Sequence, residues 1–113
     1  MVSGSLAAHY APLTPLRRVK SEALAEELVR LAHAGRRVAV LAHGASALRD
    51  ANLAFHWQAA TPEPVAYARE LYANLRALDA LGAEVILVEE VPSDTAWQAI
   101  ADRLGRAEAD QKI

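Results

Sequence analysis

Apolar positions along this chain follow two spacings, and the clearest case of each lies between residues 63 and 92. Leu71, Tyr72, Leu75, Leu78 and Leu81 recur at steps of three and four. That spacing predicts one face of an α-helix, with Arg69, Glu70, Arg76 and Asp79 largely off it. Gly82 is placed to end the helix, because glycine takes the left-handed conformation required there without a side-chain penalty. Val85, Ile86, Leu87 and Val88 are apolar on consecutive residues. Both faces of such a strand must be covered, as in a parallel sheet with helices on each side. Pro92 closes the strand, having no N–H for a ladder. Thr61, Pro62 and Pro64 form the entry to the long helix, where proline is tolerated in the first turn.

The rest of the chain reads as what flanks this unit. Residues 16–19 predict a short strand. Ser21 stands where a helix N-cap is expected, with Glu22 beside the positive end of the helix. Leu24, Leu28 and Leu31 make the inner face, and Gly35 is the stop. Residues 37–42 predict a second buried strand that delivers His43 and Gly44 to the carboxyl edge of the sheet. Residues 45–52 suggest a short helical turn. Leu53, Phe55 and Trp57 alternate with Ala54, His56 and Gln58, the pattern of a half-buried edge strand. After Pro92, Ser93 or Asp94 is placed to cap a last helix with Trp97, Ile100, Ala101 and Leu104 inside. The expected division is an extended arm over 1–15, an α/β domain over 16–106 and a frayed polar tail over 107–113. Within the arm, Pro12 and Pro15 hold Ala11 and Thr14 extended. Strands alternating with helices over short connections imply a Rossmann-like three-layer α/β/α sandwich, with a small, mainly parallel sheet of about four strands.

Composition narrows the classes of function. At 113 residues the chain is one domain, and its 53% hydrophobic share is rich in Ala and Leu with only 5% aromatic. A net charge of −2 with dispersed arginines gives no electrostatic case for direct nucleic-acid or anionic-membrane binding. Cysteine is absent, which removes disulfides, thiolate nucleophiles and cysteine metal sites. The first residues show neither a cationic leader nor an apolar core, and no apolar run approaches the roughly 20 residues needed to span a bilayer. The expected location is the cytoplasm, with no membrane partner.

Candidate chemistry is sparse. His9, His33, His43 and His56 fall on an arm, a helix end, a strand end and an edge strand, with no pairing that preorganises a metal, so no metal site is expected. The isolated glycines form neither a P-loop nor a dinucleotide fingerprint. Glu89 and Glu90 leave the best strand at the edge where α/β sheets bind ligands. Adjacent residues of an extended chain point to opposite sides, so at most one faces a given site, and the other is solvated or caps a neighbouring helix. Gly44 beside His43 would let a ligand approach the backbone. His43, Gly44, Glu89 and Glu90 thus form a possible strand-end ligand site. Trp57 and Trp97 read as core. The arm places the imidazole of His9 and the phenol of Tyr10 side by side ahead of Pro12. That combination suits a strap over a polar pocket and, equally, a tail that tucks Tyr10 against its own sheet.

Three stretches together resemble a known family. They are His9-Tyr10-Ala11-Pro12 with Thr14-Pro15; Tyr67-Ala68-Arg69 through Leu71-Tyr72 to Leu75-Arg76-Ala77-Leu78-Asp79; and Ala99-Ile100-Ala101-Asp102-Arg103-Leu104 with Arg106-Ala107. In order and spacing they resemble the C-terminal Sua5-type domain, with its preceding linker, of L-threonylcarbamoyladenylate synthase of the YrdC/Sua5 family. The resemblance implies an enzyme that forms threonylcarbamoyl-AMP and pyrophosphate from L-threonine, bicarbonate and ATP with magnesium, toward the threonylcarbamoyladenosine modification of tRNA. It also implies that catalysis belongs to a YrdC-like domain, a partner in cis or in trans, and that this domain alone binds no cofactor and is not catalytic. By the same resemblance His9, Tyr10 and Pro12 match the linker motif that folds over the catalytic pocket as a lid. The family's Ser-Pro-Gly-Met is replaced here by Val2-Ser3-Gly4-Ser5, which keeps only the glycine. Two other readings remain: a stand-alone nucleotide or small-ligand binding domain using the strand ends, and a structural module that docks a separate YrdC-like protein.

Overall fold

The computed structural model describes residues 12–44 and 56–109. In chain order these form β1 (Leu16–Val19), α1 (Ser21–His33), β2 (Val38–Ala42), β3 (His56–Ala59), α2 (Pro64–Asp79), β4 (Val85–Glu89), a 3₁₀ turn (Thr95–Trp97) and α3 (Gln98–Ala109). The four strands make one sheet in the order β1-β4-β2-β3, with every pairing parallel. β4 registers Ile86 against Leu16 on one side and against Ala39 on the other. Both central strands are buried at all five positions, as their uninterrupted apolar runs require.

Alternation along the strands divides the core into two layers. Val38, Val40, Ala42, Val85 and Leu87 pack with Leu24, Leu28 and Leu31 of α1, and Trp57 of the edge strand covers part of that layer. Ala39, Leu41, Ile86 and Val88 pack on the other face with Leu71, Leu75 and Leu78 of α2 and Ile100 and Leu104 of α3. The result is the expected three-layer α/β/α arrangement. Fully burying one such leucine contributes about 1.5–3 kcal/mol, so the two layers, and not strand propensity, hold the sheet.

Several boundaries differ from expectation for local reasons. Ser21 does not cap α1: Lys20 occupies the N-cap position without a side-chain capping bond, and Ser21 is already helical. α2 is capped by Glu63, whose Oε1 accepts from the Ala66 N–H at 2.8 Å, with Pro64 at the first helical position. Leu81 is 45% exposed, because the helix has ended before it, whereas Tyr67 is buried at 1% and takes the fourth core position at the start of the helix. Gly35 and Gly82 follow the helix ends with φ of 75° and 74°. Asp94 precedes the 3₁₀ turn with extended backbone and no side-chain cap. α3 continues past Arg106 to Ala109, because Ala107 is buried in the core and Glu108 accepts from the Arg18 Nε at 2.9 Å. Glu108 also lies 3.4 Å from the Arg18 backbone N–H, which engages one donor of the edge strand β1. The expected helical turn over 45–52 and the first half of the expected edge strand, with Leu53 and Phe55, lie outside the described residues, as does the tail over 110–113. No described helix is long and apolar enough to cross a membrane.

Candidate functional site

The carboxyl ends of β1, β4 and β2 bring Ser21, Glu89 and His43 together around one carboxylate. Glu89 Oε1 accepts from the backbone N–H groups of His43 at 2.9 Å and Gly44 at 3.0 Å, and the Ser21 hydroxyl donates to the same carboxylate. This is where the Ser21 hydroxyl goes instead of capping α1. Glu89 is 3% exposed. Burial pushes its pKa up, but the donors from Ser21, Gly44 and His43, with the positive charge available to His43, outweigh burial and hold it below the ordinary carboxylate value.

Glu89 is therefore a strut joining three strand ends and not a free acid or base. Gly44 does admit a close approach to its backbone, but the group that approaches is the carboxylate of Glu89. A Cβ at Gly44 would meet Glu89 Oε2 at 3.9 Å, so the N–H, and not a lack of room, decides this contact. Glu90 points elsewhere, as alternation demands. Its backbone oxygen lies 3.1 Å from His43 Nε2, which favours a proton on that nitrogen, donated to the carbonyl. The His43 ring lies 5.8 Å from Trp97 and 6.2 Å from Tyr67, whose own rings meet edge-to-face at 5.2 Å. The Tyr67 hydroxyl is buried and has no hydrogen-bond partner among the described residues. Burial, and then the Glu89 charge, pushes its pKa well up.

Beside this group is an open cleft of about 470 Å³, lined by Lys20, Ser21, Glu22, His43, Glu90 and Ser93 among others. Of the four residues expected at the strand-end site, His43 and Glu90 line the cleft, while Glu89 and the Gly44 N–H are engaged with each other. Among the described residues, no group of three or more His, Asp or Glu is arranged to hold a metal ion. Tyr67 and Ser21 were not expected here. Tyr67 was legible as the position four before Leu71, but nothing local to Ser21 points to a partner on β4.

The arm root lies at the opposite edge of the sheet. Pro12 and Thr14 are buried, with Leu13 between them 94% exposed. Asp79, the last residue of α2, accepts through Oδ2 from the Leu13 N–H at 3.0 Å. Its Oδ1 accepts from the Thr14 N–H at 2.9 Å and from the Thr14 hydroxyl at 2.7 Å. Pro12 thus enters at the amino edge, while His43 and Glu90 stand at the carboxyl edge. The structure does not bring these two expected sites together. His9 and Tyr10 lie outside the described residues.

Comparison with known proteins adds the family. Residues 1–109 match the model of the threonylcarbamoyl-AMP synthase C-terminal domain, Sua5_C. The chain belongs to this family. Among solved structures, P. abyssi Sua5 complexed with L-threonine matches with a TM-score of 0.73 and 23% identity, over 91% of this chain and 30% of that one. At that identity the likeness concerns the fold, and this Sua5-type domain spans less than a third of the P. abyssi chain. No curated protein matches. The family match takes in both the arm root clamped by Asp79 and α3 as far as Ala109.

Proposed function

We propose that this chain is the lid and regulatory module of a threonylcarbamoyl-AMP synthase. The enzyme would convert L-threonine, bicarbonate and ATP with magnesium into threonylcarbamoyl-AMP, pyrophosphate and water, in the cytoplasm, toward the threonylcarbamoyladenosine modification of tRNA. A YrdC-like domain, in cis or in trans, would carry the chemistry. His9, Tyr10 and Pro12 would close over its pocket, and the α/β domain would hold them there. The family match over residues 1–109 carries this reading, and the matching P. abyssi protein was solved with L-threonine. The geometry supports it in one respect: the best-placed carboxylate of the domain, Glu89, is committed to holding strand ends together.

The test is pyrophosphate release with ATP, magnesium, L-threonine and bicarbonate, by this chain alone, by a separately made YrdC-like domain, and by the two mixed. A gain on mixing, with no release from this chain alone, is the expected result. Release from this chain alone would overturn the assignment of chemistry to the partner. The cleft lined by Lys20, Glu22, His43 and Glu90 favours a second reading, a small-ligand or nucleotide site of the domain itself. Calorimetric binding of ATP by the chain alone, lost in Lys20→Ala, together with no gain on mixing, would favour it.

A further inference from the structure

The Asp79 side chain grips the root of the arm. The Asp79 carboxylate stands at the C-terminal end of α2, where the helix dipole disfavours a negative charge. Helix energetics alone argue against an acid at this position. What offsets that cost is the set of three hydrogen bonds from Leu13 and Thr14, each charge-assisted and roughly twice as strong as a neutral one. The clamped residues run directly into the sheet, since Pro15 O accepts from the Ile86 N–H at 2.8 Å. Pro12 and Pro15 have φ fixed by their rings, and Pro15 holds Thr14 extended. From Pro12 onward the backbone is therefore fixed by rings, by Asp79 and by β4 in turn.

We propose that Asp79 is a positioning residue for the synthase reaction: it fixes the point and direction from which the chain preceding Pro12 leaves the domain. This rests on the lid reading given above. Asp79 touches no substrate in this role. Its effect passes through Pro12, the one residue of the expected lid motif that the structure describes, which lies next to the clamp. A lid whose root is less firmly fixed is in its closed arrangement a smaller fraction of the time, and apparent substrate affinity falls by that fraction.

The test combines amide hydrogen exchange on the whole chain with pyrophosphate release from its mixture with the YrdC-like domain. In Asp79→Ala, protection of the Leu13 and Thr14 amides falls at least about tenfold, while amides of Val85–Glu89 keep theirs. In the mixture, KM for threonine rises on the order of tenfold with kcat within about twofold, the signature of lost substrate binding and not of lost chemistry. Thr14→Val, which removes the hydroxyl bond to Asp79 and keeps the backbone one, moves both readouts the same way, and Thr14→Ser retains wild-type values. This milder pair decides the matter if Asp79→Ala does not fold. Unchanged protection in Asp79→Ala overturns the proposal, and so does lost protection with wild-type KM. A mixture that the wild-type chain fails to stimulate overturns the lid reading itself and the proposal with it. Stimulation by the wild type and by Asp79→Ala with equal KM overturns the positioning role alone.

Discussion

At the scale of the residue, Glu89 and Tyr67 show opposite ways of burying a polar group. Glu89 is ionised and well supplied with donors; Tyr67 is neutral, and its hydroxyl has no hydrogen-bond partner among the described residues. Removing the charge of Glu89 leaves buried donors poorly matched, which costs about 1–3 kcal/mol. Glu89→Gln is therefore expected to lower the urea midpoint at neutral pH. Because the folded-state pKa of Glu89 lies below its ordinary 4.5, the unfolded chain takes up the proton first. The stabilisation is complete above about pH 4.5 and is lost as pH falls through the folded-state value. Glu89→Gln should flatten that acid limb in denaturation curves measured between pH 6 and 2, roughly the window over which such a carboxylate titrates. Tyr67→Phe should do the reverse of harm. It removes a buried hydroxyl that has no partner among the described residues while keeping the ring against Trp97, and is expected to raise stability by about 1 kcal/mol in thermal melts.

At the scale of the element, helix stops and helix interiors make different demands on glycine. Gly35 and Gly82 have positive φ, and a Cβ on either would meet nothing within 4 Å. Alanine there costs only backbone strain, about 1 kcal/mol at each site. Gly105 lies inside α3, where a Cβ would meet the Arg18 guanidinium at 3.5 Å, an ordinary contact. Gly105→Ala should therefore stabilise by up to about 1 kcal/mol. Chemical denaturation of the three variants tests the contrast, and a destabilised Gly105→Ala would show that Arg18 cannot yield. The elements themselves were largely legible, because apolar spacing is set within a few residues. Leu24, Leu28 and Leu31, and Leu71, Leu75 and Leu78, fall on inner faces as their spacing requires. The boundaries that moved did so through distant partners: Ser21 was drawn from its capping role to Glu89, and α3 was extended by the core contact of Ala107 and by Arg18.

At the scale of the whole molecule, β2 and β4 contribute side chains to both layers, so neither layer can unfold while the other remains. Trp57 reports on the α1 layer and Trp97 on the α2–α3 layer. Fluorescence of Trp57→Phe and of Trp97→Phe, each scaled to its own stability, should follow far-UV circular dichroism through a single transition. A tryptophan transition that separates from the dichroism would mean that the layers are independent. The sequence by itself determined the periodic faces, the consecutive apolar strands and the glycine stops, since each is written in residues close together in the chain, and the family, through three short stretches in order and spacing. Tertiary structure alone decided that the Glu89 carboxylate meets His43 across 46 positions and that Asp79 holds Thr14 across 65. It also decided that Pro12 and the strand-end cleft stand at opposite edges of the sheet. The physical reason is that these contacts depend on strand order. Placing β4 between β1 and β2 puts its last carboxylate beside both their ends, and the direction of α2 carries Asp79 to the amino edge where the arm enters.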